Sequence, residues 1–213
     1  MNIKISEVFP SIQGEGRFQG KPVLFIRVSR CTRSCKFCDS PYHNTGKEYS
    51  LKEINKAILD SRKNIVVWTG GEPLLYLEQI RDLKRRTGCL LKTLFHLETN
   101  GDLITDKNIE DIREVFDYIC VSPKDLKTTK RVEKILWNSG HIIPDSYDIK
   151  IVTDVSKVGV KQLNYATMLM PLTTYNEEVD KVIRQNVWDY CTENDLFYSA
   201  RLHVLTWGKK KSI

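Results

Sequence analysis

The sequence predicts an α/β protein built on a parallel sheet, with the geometry of a partial, open TIM-like barrel. Three observations carry this. Short apolar segments alternate with amphipathic ones along most of the chain, the mark of βαβ units. About six such units follow the N-terminal segment. The chain has 213 residues, whereas a complete eight-unit barrel typically takes about 250. A doubly wound sheet meets the same periodicity, and periodicity alone does not separate the two.

The elements follow in order. The first 20 residues read as an added N-terminal extension. Pro22–Val28 (PVLFIRV) is an apolar strand. Leu51–Lys63 is a helix: Ser50 can cap it and Glu53 completes a capping box. Ile65–Trp68 (IVVW) is a short buried strand. Tyr76–Thr87 is helical, and Gly88 can stop it. Lys92–Leu97 is a strand, Asp106–Val115 a helix and Tyr118–Val121 (YICV) a strand. Leu126–Trp137 and Asn176–Thr192 are helices. Tyr147–Val152, Ala166–Met170 and Leu202–Leu205 read as later strands.

Composition bounds the class. Hydrophobic residues make up 41% and charged residues 28%, which excludes a largely disordered, collagen-like or membrane-spanning chain. No apolar run approaches the roughly 18 residues of a spanning helix. Met1–Glu7 lacks the apolar stretch of a secretion signal, so a cytoplasmic location is expected. No repeat and no Pro/Gly/Ser-rich linker divides the chain, so residues 1–213 are expected to form one domain with its N-terminal extension. The net charge of +6 is mild, and its one compact run, Lys209-Lys210-Lys211, reads as a solvated tail. No basic helix interleaved with aromatics points to nucleic acid.

The unusual residues share one location. Thr69-Gly70-Gly71-Glu72-Pro73, Glu98-Thr99-Asn100-Gly101 and Ser122-Pro123-Lys124 each directly follow a predicted strand. Cys31, Cys35 and Cys38 follow PVLFIRV in the same way. Parallel α/β folds bind ligands at the carboxyl ends of their strands, so these four loops converge on one site. Cys89, Cys120 and Cys191 are scattered among apolar residues and read as small buried hydrophobes.

Three thiolates on one loop suit zinc or iron–sulfur. A structural zinc site wants four ligands, and His43 is available as the fourth. A four-iron cluster held by three cysteines instead leaves one iron open to a reactant. Gly70-Gly71-Glu72-Pro73 can be a plain turn. After a buried strand, its glycines let backbone approach a ligand, and Glu72 can accept hydrogen bonds from an ammonium group. In Ser11-Ile12-Gln13-Gly14-Glu15-Gly16, the amide of Gln13 and carboxylate of Glu15 could read a planar heterocycle, though a surface loop fits equally. Arg27, if it faces inward, needs an anionic partner.

The cysteine spacing, the aromatic before the last cysteine and the downstream GGEP resemble the radical S-adenosylmethionine (SAM) superfamily. More narrowly, SIQGEG, Arg27, Cys38-Asp39-Ser40, TGGEP, ETNG and SPK resemble the 7-carboxy-7-deazaguanine synthase (QueE) family. The resemblance is dense from about Glu7 to Lys124 and resumes at Leu202-His203 and Thr206-Trp207-Gly208. It implies that Cys31, Cys35 and Cys38 hold a [4Fe–4S] cluster whose open iron chelates SAM. Reductive cleavage of SAM would then give a 5′-deoxyadenosyl radical. Phe37, Cys38, Asp39, Gly71, Glu72, Ser122, Pro123 and Lys124 would contact SAM. Ile12, Gln13, Gly14, Glu15, Arg27, Thr69 and His203 would hold 6-carboxy-5,6,7,8-tetrahydropterin, and Ser40 would hold Mg²⁺. The reaction would remove hydrogen from C6, contract the ring and release ammonia, with no catalytic side chain beyond the cluster and SAM. The resemblance also implies a homodimer reduced by a one-electron donor such as flavodoxin or ferredoxin.

Two features depart from that family. Ser40 stands where Thr is common, keeping the hydroxyl but losing the methyl that fixes its rotamer. Relatives can use the terminal carboxylate or nearby residues at the active site, and the resemblance assigns no role to the tail Lys209-Lys210-Lys211-Ser212-Ile213 of this sequence. Two other readings share some of these residues. A glycyl-radical-activating enzyme needs the cysteine loop and GGEP but not the pterin-reading QGEG and Arg27. A zinc module using His43 leaves the strand-end loops unexplained.

Overall fold

The computed structural model describes residues 1–35, 38, 45–88, 92–138 and 146–210. Among the described residues nine strands form one sheet: β1 (Asn2–Ile12), β2 (Pro22–Val28), β3 (Lys47–Ser50), β4 (Ile65–Gly70), β5 (Leu94–Thr99), β6 (Tyr118–Val121), β7 (Tyr147–Thr153), β8 (Met168–Pro171) and β9 (Phe197–Tyr198). Their order is β3-β1-β2-β4-β5-β6-β7-β8-β9, open at both ends. From β2 to β9 every neighbour pairs parallel. The open α/β sheet that the sequence predicts is therefore observed. The N-terminal extension is β1, an antiparallel strand hairpinned onto β2 and paired in turn with β3.

Helices α1 (Leu51–Ser61), α2 (Leu77–Gly88), α3 (Ile109–Val115), α4 (Leu126–Asn138) and α5 (Glu177–Asn194) fill the crossovers. The link from β7 to β8 is only a 3₁₀ turn, Val160–Tyr165. Two of them are bounded by local signals. α1 begins at the Ser50–Glu53 capping box and stops where Arg62 turns left-handed. α5 starts at Asn176, whose side chain accepts from the Glu178 and Val179 N–H groups. One sequence expectation fails, and one strand goes unforeseen. Leu202–Leu205 is not a strand but the start of helix α6 (Leu202–Trp207). A four-residue segment such as LHVL is too short to distinguish the two by period. Lys47–Ser50 (KEYS) pairs as an edge strand although its composition carries no strand signal.

The period-2 alternation of the strands builds two different faces. Leu24, Ile26, Val28, Val66, Trp68, Phe95, Leu97, Ile119, Val121, Ile149 and Ile151 join the helices in the main core. The alternate residues face the other way. At the amino end that inner face is apolar: Val23, Ile65 and Val67 pack with Phe18 and Phe25. Further along the same strands it carries Arg27, Thr69, Glu98, Cys120, Asp148 and Lys150. Among the described residues no helix is long and apolar enough to cross a membrane.

Removing the α1 cap tests the local reading. Ser50→Ala deletes the acceptor for the Glu53 N–H at 3.3 Å and is expected to lower stability by about 1 kcal/mol. An unchanged urea midpoint would mean that the box contributes nothing.

Candidate active site

The four singled-out loops leave the carboxyl ends of β2, β4, β5 and β6, and hydrogen bonds link all four. The Gly71 N–H donates to the Val28 carbonyl at 2.9 Å and the Glu72 N–H to the Arg30 carbonyl at 2.6 Å. A Cβ on Gly71 would stand 1.8 Å from the Arg30 oxygen. The close approach that this glycine permits is thus to the chain entering the cysteine loop, rather than to a ligand. Glu72 is fully buried. Its carboxylate accepts from Thr99 Oγ1 at 2.8 Å, the Asn100 N–H at 3.0 Å and the Leu74 N–H at 3.1 Å. A carboxylate offers about four acceptor positions, so little of Glu72 is left for the ammonium group expected there. Burial pushes its pKa up to about 7, over the pull of those donors.

The cysteine loop is braced from outside. Arg33 donates to Asp102 through Nε at 2.7 Å and Nη2 at 2.5 Å, and Nη2 also reaches Asp125 at 2.6 Å. Asp102 follows ETNG and Asp125 follows SPK, so one guanidinium ties the cysteine loop to the exits of β5 and β6. Cys31, Cys35 and Cys38 are free thiols, half-buried or exposed. Cys120 and Cys191 are buried, as expected, and burial pushes the Cys120 thiol up to about 12. Cys89, Phe37, Asp39, Ser40, His43 and the tail from Lys211 lie outside the described residues. Lys124 is exposed and donates to Ser122 at 3.0 Å, beside buried Pro123.

The second cluster lies on the inner face. The loop joining β1 to β2 enters the amino end of the sheet. There the Phe18 ring packs tilted against His96, with centroids 4.3 Å apart, and edge-on to Tyr118 at 4.8 Å. Arg17 forks onto Asp148 with bonds of 2.8 and 2.9 Å. Asp148 is fully buried and also accepts from Tyr118 at 2.6 Å and Thr167 at 2.7 Å. Further up, Gln13 donates to Glu98 at 3.0 Å, and Thr69 donates to the other Glu98 oxygen at 2.9 Å. Glu15 meets Lys150 at 2.7 Å and Arg201 at 3.1 Å, with His203 at 3.9 Å. Burial opposes charge on both Glu15 and Lys150. Their mutual attraction outweighs it, holding the Glu15 carboxyl below and the Lys150 ammonium above the usual ranges. A small cavity remains between Gln13, Glu15, Phe18, His96, Glu98 and Lys150.

Other expected residues sit at the margins. Ile12 ends β1 opposite Pro22. Arg27 faces inward and has an anionic partner within the chain, Glu7 at 2.7 Å. His203 is a helix residue packed on Gly14, where a Cβ would come within 2.3 Å of its ring. The Leu202 N–H closes that contact on the Gly14 carbonyl at 2.9 Å. Glu98, Lys150, Asp148, Arg17 and Arg201 were not singled out individually. Strand parity held the signal for three of them: Glu98 in LFHLET and Asp148 and Lys150 in YDIKIV alternate with core residues.

A family model described as the radical SAM superfamily matches residues 25–185. The chain belongs to that superfamily. Membership implies a [4Fe–4S] cluster and SAM. The donor set fits: three soft thiol ligands lie on one loop, and the loop sequence from Cys31 to Cys38 holds no fourth cysteine. Among the described residues no three His, Cys, Asp or Glu side chains gather as they would around a single metal ion. The chain is similar to a 7-carboxy-7-deazaguanine synthase of Pyrobaculum aerophilum, 29% identical over 232 residues that cover 98% of this chain and 96% of that protein. A synthase of the same name from Methanospirillum hungatei is 34% identical over 146 residues, 63% of this chain and 61% of that protein. Among solved structures, QueE from Escherichia coli shares the fold with a TM-score of 0.67 at 19% identity, over 95% of both chains. The structure described as native anSMEcpe with bound AdoMet and Cp18Cys peptide shares it at 0.59 and 18%, over 86% of this chain and 65% of that one.

Glu72 makes the pH dependence of stability testable. Its pKa rises from 4.5 unfolded to about 7 folded, so between those values the folded chain binds more protons. Its contribution is complete below about pH 4.5 and lost as pH rises through about 7. The stability of the parent relative to Glu72→Gln, from urea unfolding, is expected to fall across that window. A difference independent of pH would show Glu72 ionised throughout.

Proposed function

We propose that this enzyme is a 7-carboxy-7-deazaguanine synthase. It would convert 6-carboxy-5,6,7,8-tetrahydropterin to 7-carboxy-7-deazaguanine with loss of ammonia, a step toward queuosine-type modified guanines. The observation that carries this reading is the N-terminal loop laid on the inner face. It brings Gln13 within 3.0 Å of Glu98, and Glu15 within 2.7 Å of Lys150. A superfamily member acting on a protein chain has no need of this array of paired donors and acceptors beneath the mouth. Similarity to synthases along nearly the whole chain supports the same reading.

The roles follow from the placement. Gln13, Glu15, Glu98 and Thr69 present amide, carboxylate and hydroxyl edges matched to a pterin, with Ile12 and Gly14 contributing backbone. Arg27 suits bidentate recognition of the pterin carboxylate, with Glu7 holding its Nε. His203 lines the same side. Cys31, Cys35 and Cys38 hold the cluster. Phe37, Asp39, Gly71, the remaining acceptor of Glu72, and Ser122–Lys124 bind SAM, and Ser40 binds Mg²⁺. The cluster and SAM, when bound, supply one-electron SAM cleavage and with it the radical that starts the rearrangement. The chain's own work is to orient the substrate and exclude water. Residues 1–213 act as one domain, as a homodimer in the cytoplasm. An acidic one-electron carrier such as flavodoxin or ferredoxin would meet the exposed lysines 124, 127, 130 and 134, which run from the mouth along α4.

The test is an anaerobic assay of reconstituted protein with SAM, reductant, Mg²⁺ and 6-carboxytetrahydropterin, read by mass spectrometry. The expected result is 7-carboxy-7-deazaguanine, abolished in Cys35→Ala and reduced when Mg²⁺ is chelated. SAM cleavage without that product would keep the superfamily and sink the pterin assignment in favour of a protein substrate.

A further inference from the structure

Asn100 stands where the loops after β4 and β5 meet the cysteine loop, and its orientation is fixed at both ends. Its backbone N–H is held by Glu72 at 3.0 Å. Its side-chain oxygen accepts from the Asp102 N–H at 2.8 Å. That leaves the amino end of the amide facing the cysteines, where Nδ2 donates to Thr32 Oγ1 at 3.0 Å and lies 3.8 Å from Cys31 Sγ. The Arg33 backbone N–H also points at this sulfur, at 3.4 Å. Asn100 is buried, so its amide cannot turn away into water.

We propose that Asn100 tunes the reduction potential of the iron–sulfur cluster by donating a side-chain N–H to the Cys31 sulfur. Hydrogen bonds to ligand sulfurs stabilise the more negative, reduced state and are among the levers that set such potentials. Asn100 is a positioning and tuning residue, acting through Cys31 rather than on SAM or substrate. The step concerned is a one-electron reduction in which no bond to Asn100 forms or breaks. The electron comes from the external donor, dithionite in the test. The inference rests on the superfamily assignment and is independent of the pterin reading.

The experiment is an anaerobic redox titration of the full reconstituted chain without SAM, followed by EPR of the reduced cluster, with iron content measured in parallel. Asn100→Ala is expected to keep the parent's iron content and shift the midpoint negative. At a fixed potential the reduced-to-oxidised ratio should fall about tenfold, equivalent to about 59 mV for one electron. Asn100→Asp keeps the size and the acceptor for Asp102, removes the donor and adds negative charge, so its shift should be larger in the same direction. Thr32→Val removes the competing acceptor and frees that N–H for Cys31, so its midpoint should match the parent's or shift positive, never negative. An unshifted midpoint in both Asn100 variants overturns the proposal. So does an equal shift in Thr32→Val, which would assign the effect to loop bracing. Loss of iron from both Asn100 variants, with a loaded parent, overturns it in favour of a role in assembly. A parent that takes up no iron sinks the cofactor reading itself.

Discussion

A carboxylate removed from water is costly unless donors surround it, and the loops at the mouth of the sheet are organised around one that is fully buried. Glu72 collects a hydroxyl from Thr99 and backbone N–H groups from Asn100 and Leu74. Those donors come from two loops leaving adjacent strands, so satisfying one side chain fixes the separation of both. The same segment is pinned on its other side, where the Gly71 and Glu72 N–H groups bond to carbonyls at the exit of β2. Asn100 then carries the constraint from Glu72 to Cys31 and Thr32. A loop of free thiols has little packing of its own. Here its geometry is borrowed from a buried acid one loop away.

The inner face follows the same physics with larger charges. Arg17–Asp148 and Glu15–Lys150 are ion pairs with at least one fully or nearly buried partner. Such pairs contribute little net stability compared with apolar packing, while losing one partner is strongly destabilising. Their effect here is register. The loop between β1 and β2 offers Gln13, Glu15 and Arg17 at alternate positions, and each finds its complement on a different strand or level of the sheet. A slip by one residue would leave several buried charges unpaired. Phe18 closes the amino end against His96 and Tyr118, and burial holds His96 neutral, its pKa pushed down to about 4. The result is a paired polar layer over an apolar floor, with a small cavity between them.

Strand and helix order was legible because burial imposes period: IVVW and YICV have few alternatives in a chain of this composition. The convergence of GGEP, ETNG and SPK was legible because parallel strands place their exits on one side. The inner-face network was partly hidden. Its acids and lysine belong to strands recognised for their apolar residues, and only parity separates Glu98 or Lys150 from their neighbours. Its other half arrives from the β1–β2 loop and from Arg201, distant in sequence, through contacts that no local pattern encodes. The error at Leu202–Leu205 has the same origin. Helix α6 forms where the chain turns back on Gly14, a tertiary contact made possible by a missing side chain.

The motif residues therefore divide by what they touch. Spacing places a residue on a loop; the direction of its side chain depends on which neighbours still lack partners. Gly71 and Glu72 lie in the most recognisable motif, yet most of their bonding capacity holds one loop to another. Arg33, a spacer residue between the first two cysteines of their motif, joins the cysteine loop to the exits of β5 and β6 through two carboxylates. Radical chemistry is supplied by the cofactors, so the protein's task is to fix a small number of atoms relative to one another and keep water out. A site of that kind needs rigid loops more than reactive side chains. Much of its polar inventory is consequently spent inside the protein, on bonds that hold one loop or strand to the next.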